Sequence, residues 1–258
     1  MGNLTVTLST CCYNRAEHVK QTLLKNLEDN QQDFVRFLLL NYNSQDDLDE
    51  WAREHLGRFI ASGRVLYLHE KTADHFKHAH ARNVAVRACT SEVICNVDAD
   101  NFTGPDFGRW LRQVYLDNKS TAFTAYGRDR GAPCGDLFGR ISFRVRELIA
   151  IGGYSEDLDM WGVEDWDIIR RAERVGLKKV TYPERFDVKP LLHTQEARVS
   201  GAGYATPAES YTESANRQLG QFSTGQSPNA KGRWGKATVE VNWKKTVELP
   251  LSAGEELT

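Results

Sequence analysis

Two aspartates, separated by one residue, follow a short apolar run in the first half of this chain. The run at 93–95 leads into Asp98 and Asp100, and a Gly-Pro turn follows at 104–105. On an extended chain, side chains two residues apart point to the same side, so both carboxylates project together. Like charges that close repel each other, and a divalent cation would relieve the repulsion. The pair therefore predicts a Mg²⁺ or Mn²⁺ site that also binds substrate phosphates, with a solvated turn as the alternative.

A second acidic cluster lies at the start of a predicted helix at 163–175. The helix has an apolar stripe at helical spacing, made of Ile168, Ala172 and Val175. Extending this stripe backwards reaches Asp165 and Trp161, so Asp165 is a carboxylate where the pattern requires an apolar residue. Partial burial would raise the pKa of that carboxyl group, as a general base requires. The alternative is that Glu164 and Asp165 are first-turn acids favoured by the helix macrodipole.

Residues around this helix start predict contact with a sugar. Trp161 offers a flat apolar surface on which the C–H face of a sugar ring can pack. Gly153 and Gly162 would let the backbone approach a ligand closely. Asp167 is expected to pair with Arg170 or Arg171 on the solvent-facing side of the helix.

The elements that must position these groups alternate between strand and helix four times in the first hundred residues. This alternation predicts an α/β fold with a parallel sheet and helices on both faces. In such sheets ligands bind at the carboxyl ends of the strands. Polar turns follow three of the predicted strands, at 13–15, 41–47 and 98–101. We expect the three turns to meet at one crevice.

The C-terminal part of the chain has a different composition. Residues 196–236 are rich in Gly, Ser, Thr, Ala, Asn and Gln with little periodicity, which predicts a long surface loop or partial disorder. The loop is either a solvated connection or a lid over an acceptor. If it is a lid, we expect the acceptor site to be shaped by Tyr204, Tyr211, Arg217, Arg233 and Trp234. A last strand is predicted at 239–243.

Bulk properties limit the class of protein. The chain has 258 residues, a formal net charge of −2 and 26% charged residues, so global charge does not favour nucleic acid or anionic membrane as a partner. Five cysteines without a C-x-x-C pair favour a reducing compartment. There is no signal peptide and no apolar run long enough to span a membrane, which predicts a cytoplasmic protein.

Four stretches together resemble a known family. They are TLSTCCYNR, LLNYNSQDD, HAHARNVAVRACTSEVICNVDADN and IGGYSEDLDMWGVEDWDIIRRAERVG. In this order they resemble the GT-A-fold glycosyltransferases that use nucleotide sugars, and specifically the bacterial family 2 transferases with a galactosyltransferase-type C-terminal motif. The resemblance covers residues 4 to about 195 and implies a Rossmann-like, mostly parallel sheet. The implied domains are a catalytic domain at 1–195, with a nucleotide-binding half at 1–105 and an acceptor half at 106–195, and a loop-rich extension of the same domain at 196–258.

The resemblance also implies roles for individual residues. Asp165 matches the catalytic base. The metal ligands would be Asp98, Asp100 and His193, although a structural role for His193 is the alternative. Nucleotide binding is implied for Thr10, Tyr13, Asn14, Arg15, Asn41, Asn43, Arg82, Asn83 and Asp98. Sugar or acceptor binding is implied for Gly153, Trp161, Gly162 and Glu164.

The expected activity is a Mn²⁺- or Mg²⁺-dependent transfer of a hexose or N-acetylhexosamine from a nucleotide sugar to a hydroxyl group, with inversion. UDP is the favoured nucleotide, although many relatives have an acidic DDGS or DNGS turn where this chain has Asn41-Tyr42-Asn43-Ser44. The acceptor could be a glycan, a peptide, a lipid-linked sugar or a modified nucleic acid. A retaining enzyme and an inactive nucleotide-sugar-binding module are the alternatives. A nucleotidyltransferase is disfavoured because the first turn lacks a glycine-rich phosphate loop. For His75, His78 and His80, a ligand-facing or surface role is favoured over a zinc site.

Overall fold

The computed structural model describes residues 4–119, 122–126, 137–158, 161–192, 194, 206–224, 228–229, 234–252 and 256–257. The described strands are β1 (Val6–Cys12), β2 (Val35–Tyr42), β3 (Val65–Glu70), β4 (Val93–Asn96), β5 (Ala122–Ala125), β6 (Ser142–Arg144), β7 (Lys178–Thr181), β8 (Ala237–Val241) and β9 (Lys245–Leu249). The described α-helices are α1 (Ala16–Asp29), α2 (Leu48–Ala61), α3 (His78–Ala88), α4 (Phe107–Asp117), α5 (Val145–Ala150), α6 (Glu164–Arg174) and α7 (Pro207–Thr224). A short 3₁₀ turn covers Glu184–Phe186.

The described strands form one mixed sheet in the order β7-β5-β6-β4-β1-β2-β3-β8-β9. The central strands β4, β1, β2 and β3 are parallel to one another, as the alternation of strands and helices predicted. β6 runs antiparallel to β4, and β8 runs antiparallel to β3. β8 and β9 form a terminal hairpin, so C-terminal residues extend the sheet beyond β3.

The side chains of β2 alternate between two apolar layers, one on each face of the sheet. Phe37 and Leu39 pack with α1, α2 and α4, whereas Leu38 and Leu40 pack with α3, α5 and α6. Burial of both faces explains why β2 is an almost continuous apolar run in the sequence. The predicted α/β architecture with helices on both faces of the sheet is confirmed.

The prediction of a loop throughout 196–236 is wrong for the part that forms α7. Its buried face is polar and consists of Ser210, Ser214 and Gln218. A helix that buries small polar residues lacks the apolar period by which helices are recognised in a sequence. Trp234 is also buried, and it lies against Gly153 and Arg87. Tyr204 and Arg233 lie outside the described residues.

Two further observations concern thiols and membranes. Cys11, Cys12, Cys89 and Cys95 are free, and burial raises the pKa of both Cys11 and Cys12 to about 12. Among the described residues, no helix combines the length and the apolarity that crossing a bilayer requires.

Candidate active site

The polar turns at the carboxyl ends of the parallel strands meet, as predicted. The backbone N–H of Asn14 donates to Ser44 Oγ at 2.9 Å, and the N–H of Gln45 donates to Asn14 Oδ1 at 2.7 Å. The hydroxyl of Thr10 donates to the carbonyl of Val97 at 2.9 Å, directly before the aspartate pair. These bonds join the ends of β1, β2 and β4 into one edge. Ser44, which bonds the first turn to the second, received no role from the sequence.

The segment at 73–76, just before α3, also packs against this edge. The ring of Tyr13 stacks on Phe76 with 6.1 Å between centroids, and its hydroxyl donates to the carbonyl of Asp74 at 3.1 Å. Asn43 Nδ2 donates to the carbonyl of Ala73 at 2.7 Å. Arg15 is half-buried and immediately precedes α1. These contacts give the predicted nucleotide-binding turns a defined shape, while their contact with a nucleotide stays a prediction.

Asn41 and Asn83, both predicted to bind the nucleotide, are fully buried and hydrogen-bonded within the chain. Asn41 Nδ2 donates to Tyr67 Oη at 3.0 Å, and its Oδ1 accepts from the N–H of Ser44 at 2.8 Å. Asn83 Nδ2 donates to the carbonyl of Tyr154 at 2.8 Å, and its Oδ1 accepts from the N–H of the same residue at 2.8 Å. Both amides therefore fix backbone turns, and their role in nucleotide binding stays a prediction that would require these turns to open.

Arg82 lies at the centre of the acidic groups. Its NH1 is 2.5 Å from Asp165 Oδ1 and 3.4 Å from Glu164 Oε1. Its NH2 is 3.4 Å from Asp98 Oδ1. The Arg82 side chain is only 8% exposed. Helix α3 thus brings one guanidinium into contact with Asp98, which follows β4, and with the two acids that begin α6.

Burial and the surrounding charges set the proton affinity of these groups. Burial raises the pKa of Asp165 to about 7, although the Arg82 guanidinium lowers it in part. Burial lowers the pKa of Arg82, but the charges of Asp165, Asp98 and Glu164 outweigh that effect and hold it well above its usual value. Asp165 can therefore both hold and release a proton near neutral pH, while Arg82 keeps its charge.

Asp98 and Asp100 offer carboxylate oxygens at the open side of this cluster. The Asp98 side chain is 39% exposed. Asp100 Oδ1 accepts from Asn101 Nδ2 at 2.8 Å, and its carbonyl accepts from the N–H of Leu191 at 2.9 Å. Hard oxygen donors beside an open space fit Mg²⁺ or Mn²⁺ with phosphate oxygens as further ligands. No group of three metal-binding side chains occurs among the described residues, and His193 lies outside them.

Two glycines near α6 are places where a side chain would not fit. Gly162, at φ +149°, donates its N–H to Glu164 Oε2 at 3.1 Å, and a Cβ there would lie 3.1 Å from Tyr211 Cα. Ser210 Oγ donates to the carbonyl of Trp161 at 2.8 Å, so α7 covers this segment. A Cβ on Gly153 would lie 2.7 Å from Asn83 Oδ1. Contact of these residues with a sugar stays a prediction.

The pairing predicted for Asp167 is confirmed with Arg171, but its location on the solvent-facing side is wrong. Both residues are buried, with 2.7 Å between Asp167 Oδ2 and Arg171 NH2. The Arg171 guanidinium also donates to the carbonyls of Ile151 and Gly153, at 2.7 Å each. The pair therefore fastens α6 to the glycine turn, which we define as residues 151–153. Val175, which the apolar stripe included, is 62% exposed because the helix ends before it.

Gly139 is a site residue that sequence reasoning missed. A Cβ there would lie 2.6 Å from Asp98 Oδ2 and 2.9 Å from Arg82 NH2. The backbone of Gly139 therefore adjoins the Asp98–Arg82 pair directly. A single glycine before Arg140 gives no sequence signal of this contact, which depends on packing between distant segments.

The three histidines near α3 have separate environments. His80 Nδ1 is 2.6 Å from Tyr42 Oη, and its Nε2 is 2.8 Å from the carbonyl of Lys236. His75 lies 2.6 Å from Asp74. Burial and the charges of Arg82 and Arg15 lower the pKa of His78 to about 3. His78 is thus a neutral ring next to the cations of the site.

Two models of known protein families match the chain. The family model described as glycosyl transferase family 2 matches residues 7–155. A second model, described as the N-terminal domain of galactosyltransferase, matches residues 133–196 and therefore includes the start of α6. A search of curated proteins found no match to the chain.

Solved structures with a similar fold include proteins determined in complex with a nucleotide or a nucleotide sugar. The mannosyltransferase PcManGT from Pyrobaculum calidifontis, in complex with GDP-Man and Mn²⁺, has a TM-score of 0.56 at 16% identity over 88% of this chain and 77% of its own. TarS 1-349 from S. aureus has a TM-score of 0.56 at 14% identity over 86% of this chain and 73% of its own. The same TarS fragment in complex with UDP has a TM-score of 0.55 at 13% identity over 84% of this chain and 72% of its own. At these identities the likeness concerns the fold, and it confirms the predicted GT-A type.

Proposed function

The chain belongs to glycosyl transferase family 2, and from that membership we propose that it transfers a hexose or N-acetylhexosamine from a nucleotide sugar to a hydroxyl acceptor. The favoured donor is a UDP-sugar, and the transfer inverts the configuration at the anomeric carbon. Asp165 is the base, and the edge that joins Asp98 to the turns at 13–15 and 43–45 is the donor site.

One observation supports this assignment above the others. Asp98 and Asp165, which come from separate parts of the chain, contact the same guanidinium of Arg82. A displacement with inversion needs the leaving group and the base on opposite sides of one sugar. Asp98 faces NH2 of the guanidinium and Asp165 faces NH1, so one side chain holds the two acids near each other at separate positions, as such a reaction requires.

The donor diphosphate would be held together with a divalent cation by Asp98 and Asp100. When bound, Mn²⁺ or Mg²⁺ supplies positive charge that stabilises the departing diphosphate. The cation would also offset part of the negative charge that Asp98, Glu164 and Asp165 place around Arg82. His193 is the proposed third ligand, because the Leu191 N–H bonds to the Asp100 carbonyl only two residues earlier in the chain. PcManGT, with its GDP-Man and Mn²⁺, is a structural neighbour with such a cation.

Asp165 would accept the proton of the acceptor hydroxyl as that oxygen attacks the anomeric carbon. The new C–O bond forms while the bond from the anomeric carbon to the diphosphate oxygen breaks, and the diphosphate leaves with the electron pair. A pKa of about 7 allows Asp165 to be ionised before attack and to retain the proton after it. Trp161 and Glu164, next to Asp165, would bind the sugar that is transferred or the acceptor.

A two-step experiment tests the proposal. Thermal unfolding with Mn²⁺ and each of UDP-glucose, UDP-galactose, UDP-N-acetylglucosamine and GDP-mannose identifies the donor, because a ligand that binds the native state raises its stability. Asp165→Asn should keep that stabilisation and abolish release of the nucleoside diphosphate in the presence of hydroxyl acceptors. Asp117→Asn, at an exposed position on α4, is the matched control. Near-normal turnover of Asp165→Asn would show that the base is another residue.

A further inference from the structure

The contacts of Arg82 do not favour nucleotide binding, the role that the family resemblance implies for this residue. Both terminal nitrogens of its guanidinium face carboxylates of the same chain: NH1 faces Asp165 and Glu164, and NH2 faces Asp98. We propose that Arg82 is a positioning residue that fixes the carboxylate of Asp165 relative to Asp98, and that it is not a ligand of the nucleotide. This inference rests on the proposed function, because it concerns how the base of that reaction is held.

The surroundings of the guanidinium fix its direction. The ring of Tyr154 lies 5.3 Å from Cζ, and Gly139 lies so close that a Cβ there would be 2.9 Å from NH2. A buried cation needs charged or polar partners, and the two terminal nitrogens of Arg82 find them in the acids. A guanidinium held in this way cannot rotate towards a nucleotide without leaving buried carboxylates unpaired. Its bonds to the acids are therefore part of the folded state.

The shape of the guanidinium matters for this role. Its planar fork presents donors on two sides, so one side chain contacts Asp98 after β4 and the two acids that begin α6. A lysine ammonium is a point charge on a flexible stem and would approach one side or the other. Arg82→Lys therefore retains the positive charge but loses the fixed relation between Asp98 and Asp165.

The hydrogen bonds that hold the proposed nucleotide-binding turns together do not involve Arg82. Asn14 bonds to Ser44 and Gln45, and Asn43 bonds to the carbonyl of Ala73. A change at Arg82 should therefore leave the binding of a nucleoside diphosphate nearly intact. It should instead slow the chemical step, because a displacement of a reacting group by about 1 Å costs on the order of 100-fold in rate.

The test compares Arg82→Lys with Arg87→Lys in the full chain. Arg87 lies on the same helix, and its guanidinium stacks on Trp234 at 3.6 Å without contacting the acids. The donor identified by thermal unfolding is used with Mn²⁺ and with water as the acceptor, and release of the nucleoside diphosphate is followed. For Arg82→Lys, kcat should fall about 100-fold. The KM for the donor should stay within about threefold of the wild-type value, and UDP or GDP should still raise the unfolding temperature. Arg87→Lys should retain the wild-type kcat.

A double variant separates failure of this inference from failure of the proposed function. If Arg82 acts through Asp165, adding Arg82→Lys to Asp165→Asn should cause little further loss of kcat. If Asp165→Asn alone turns over normally, the proposed base is wrong. If Asp165→Asn is inactive but Arg82→Lys raises KM and retains kcat, Arg82 is a nucleotide ligand and this inference is wrong.

Gly139→Ala provides a second variant in case Arg82→Lys does not fold. It displaces the Asp98–Arg82 pair by adding one methyl group and removes no charge. Its kcat should fall, and an unchanged kcat would overturn the inference. Gly57→Ala is the matched control, because a Cβ at Gly57 has no neighbour within 4 Å.

Discussion

The backbone N–H of Leu191 donates to the carbonyl of Asp100 with 2.9 Å between nitrogen and oxygen. This bond joins the segment after β7 to the second aspartate of the pair that follows β4. It fixes the chain two residues before His193 next to a proposed metal ligand. The relation connects the segment after β7 directly to the proposed donor site.

Removing His193 should therefore weaken metal binding. For His193→Ala we expect the Mn²⁺ concentration that gives half-maximal activity to rise at least about 10-fold, since even residues outside the ligand shell of a metal contribute 10- to 100-fold to its affinity. Titration of activity with Mn²⁺ measures this, and His55→Ala on α2 is the control. An unchanged Mn²⁺ dependence would assign His193 a structural role.

Transfer should depend on pH through Asp165. Its pKa of about 7 means that the carboxylate, the form that accepts a proton, becomes scarce as the pH falls below 7. Below that pKa, kcat should fall about tenfold per pH unit, while nucleotide binding changes little. A profile of kcat between pH 5 and 9 measures the effect. A flat profile down to pH 5 would contradict a base with a raised pKa.

The buried pair of Asp167 and Arg171 should contribute strongly to stability. Arg171→Met leaves Asp167 buried without its partner and frees the carbonyls of Ile151 and Gly153, which should cost about 3–5 kcal/mol in the free energy of unfolding. Urea unfolding measures the loss. Arg174→Met, at an exposed position on the same helix, should change stability by less than about 0.5 kcal/mol. Equal losses of unfolding free energy for the two changes would show that the buried ion pair contributes no more to stability than an exposed arginine does.

Asp49 should make stability depend on pH in the acid range. Burial would raise the pKa of Asp49, but hydrogen bonds from Trp243, Tyr67 and Arg53 outweigh it and lower the value from 3.8 to about 2. A lowered pKa in the folded state stabilises the protein above pH 4, and this contribution is lost as the pH falls towards 2. It amounts to about 2 kcal/mol.

Urea unfolding of Asp49→Asn and wild type between pH 2 and 7 measures this contribution. The difference in unfolding free energy between the two proteins should shrink as the pH falls through that range. Asp117→Asn, at an exposed position, should show no such pH dependence relative to wild type. A constant difference for Asp49→Asn would show that the carboxylate charge does not stabilise the terminal hairpin.

Local patterns made several features predictable. The alternation of strands and helices predicted the parallel centre of the sheet, because the burial of each element imposes its own period on the sequence. The carboxyl ends of parallel strands lie at one edge, so the meeting of the three polar turns followed from strand order alone. The inward-facing carboxylate of Asp165 was recognisable because it interrupts an apolar stripe. The helix at 207–224 was not recognisable, because its buried face is polar.

Contacts between distant residues required the tertiary structure. Nothing in the sequence around Arg82 indicates that it contacts Asp98 and Asp165, or that Gly139 lies against that pair. Asp167 and Arg171 have helical spacing, but their burial depends on the glycine turn at 151–153. The sequence by itself determined which segments form strands and helices and where the acids lie along them. Only the tertiary packing that brings Arg82 of α3 to Asp98 and to the start of α6 decided which charges share a low-dielectric site, and therefore which of them are paired.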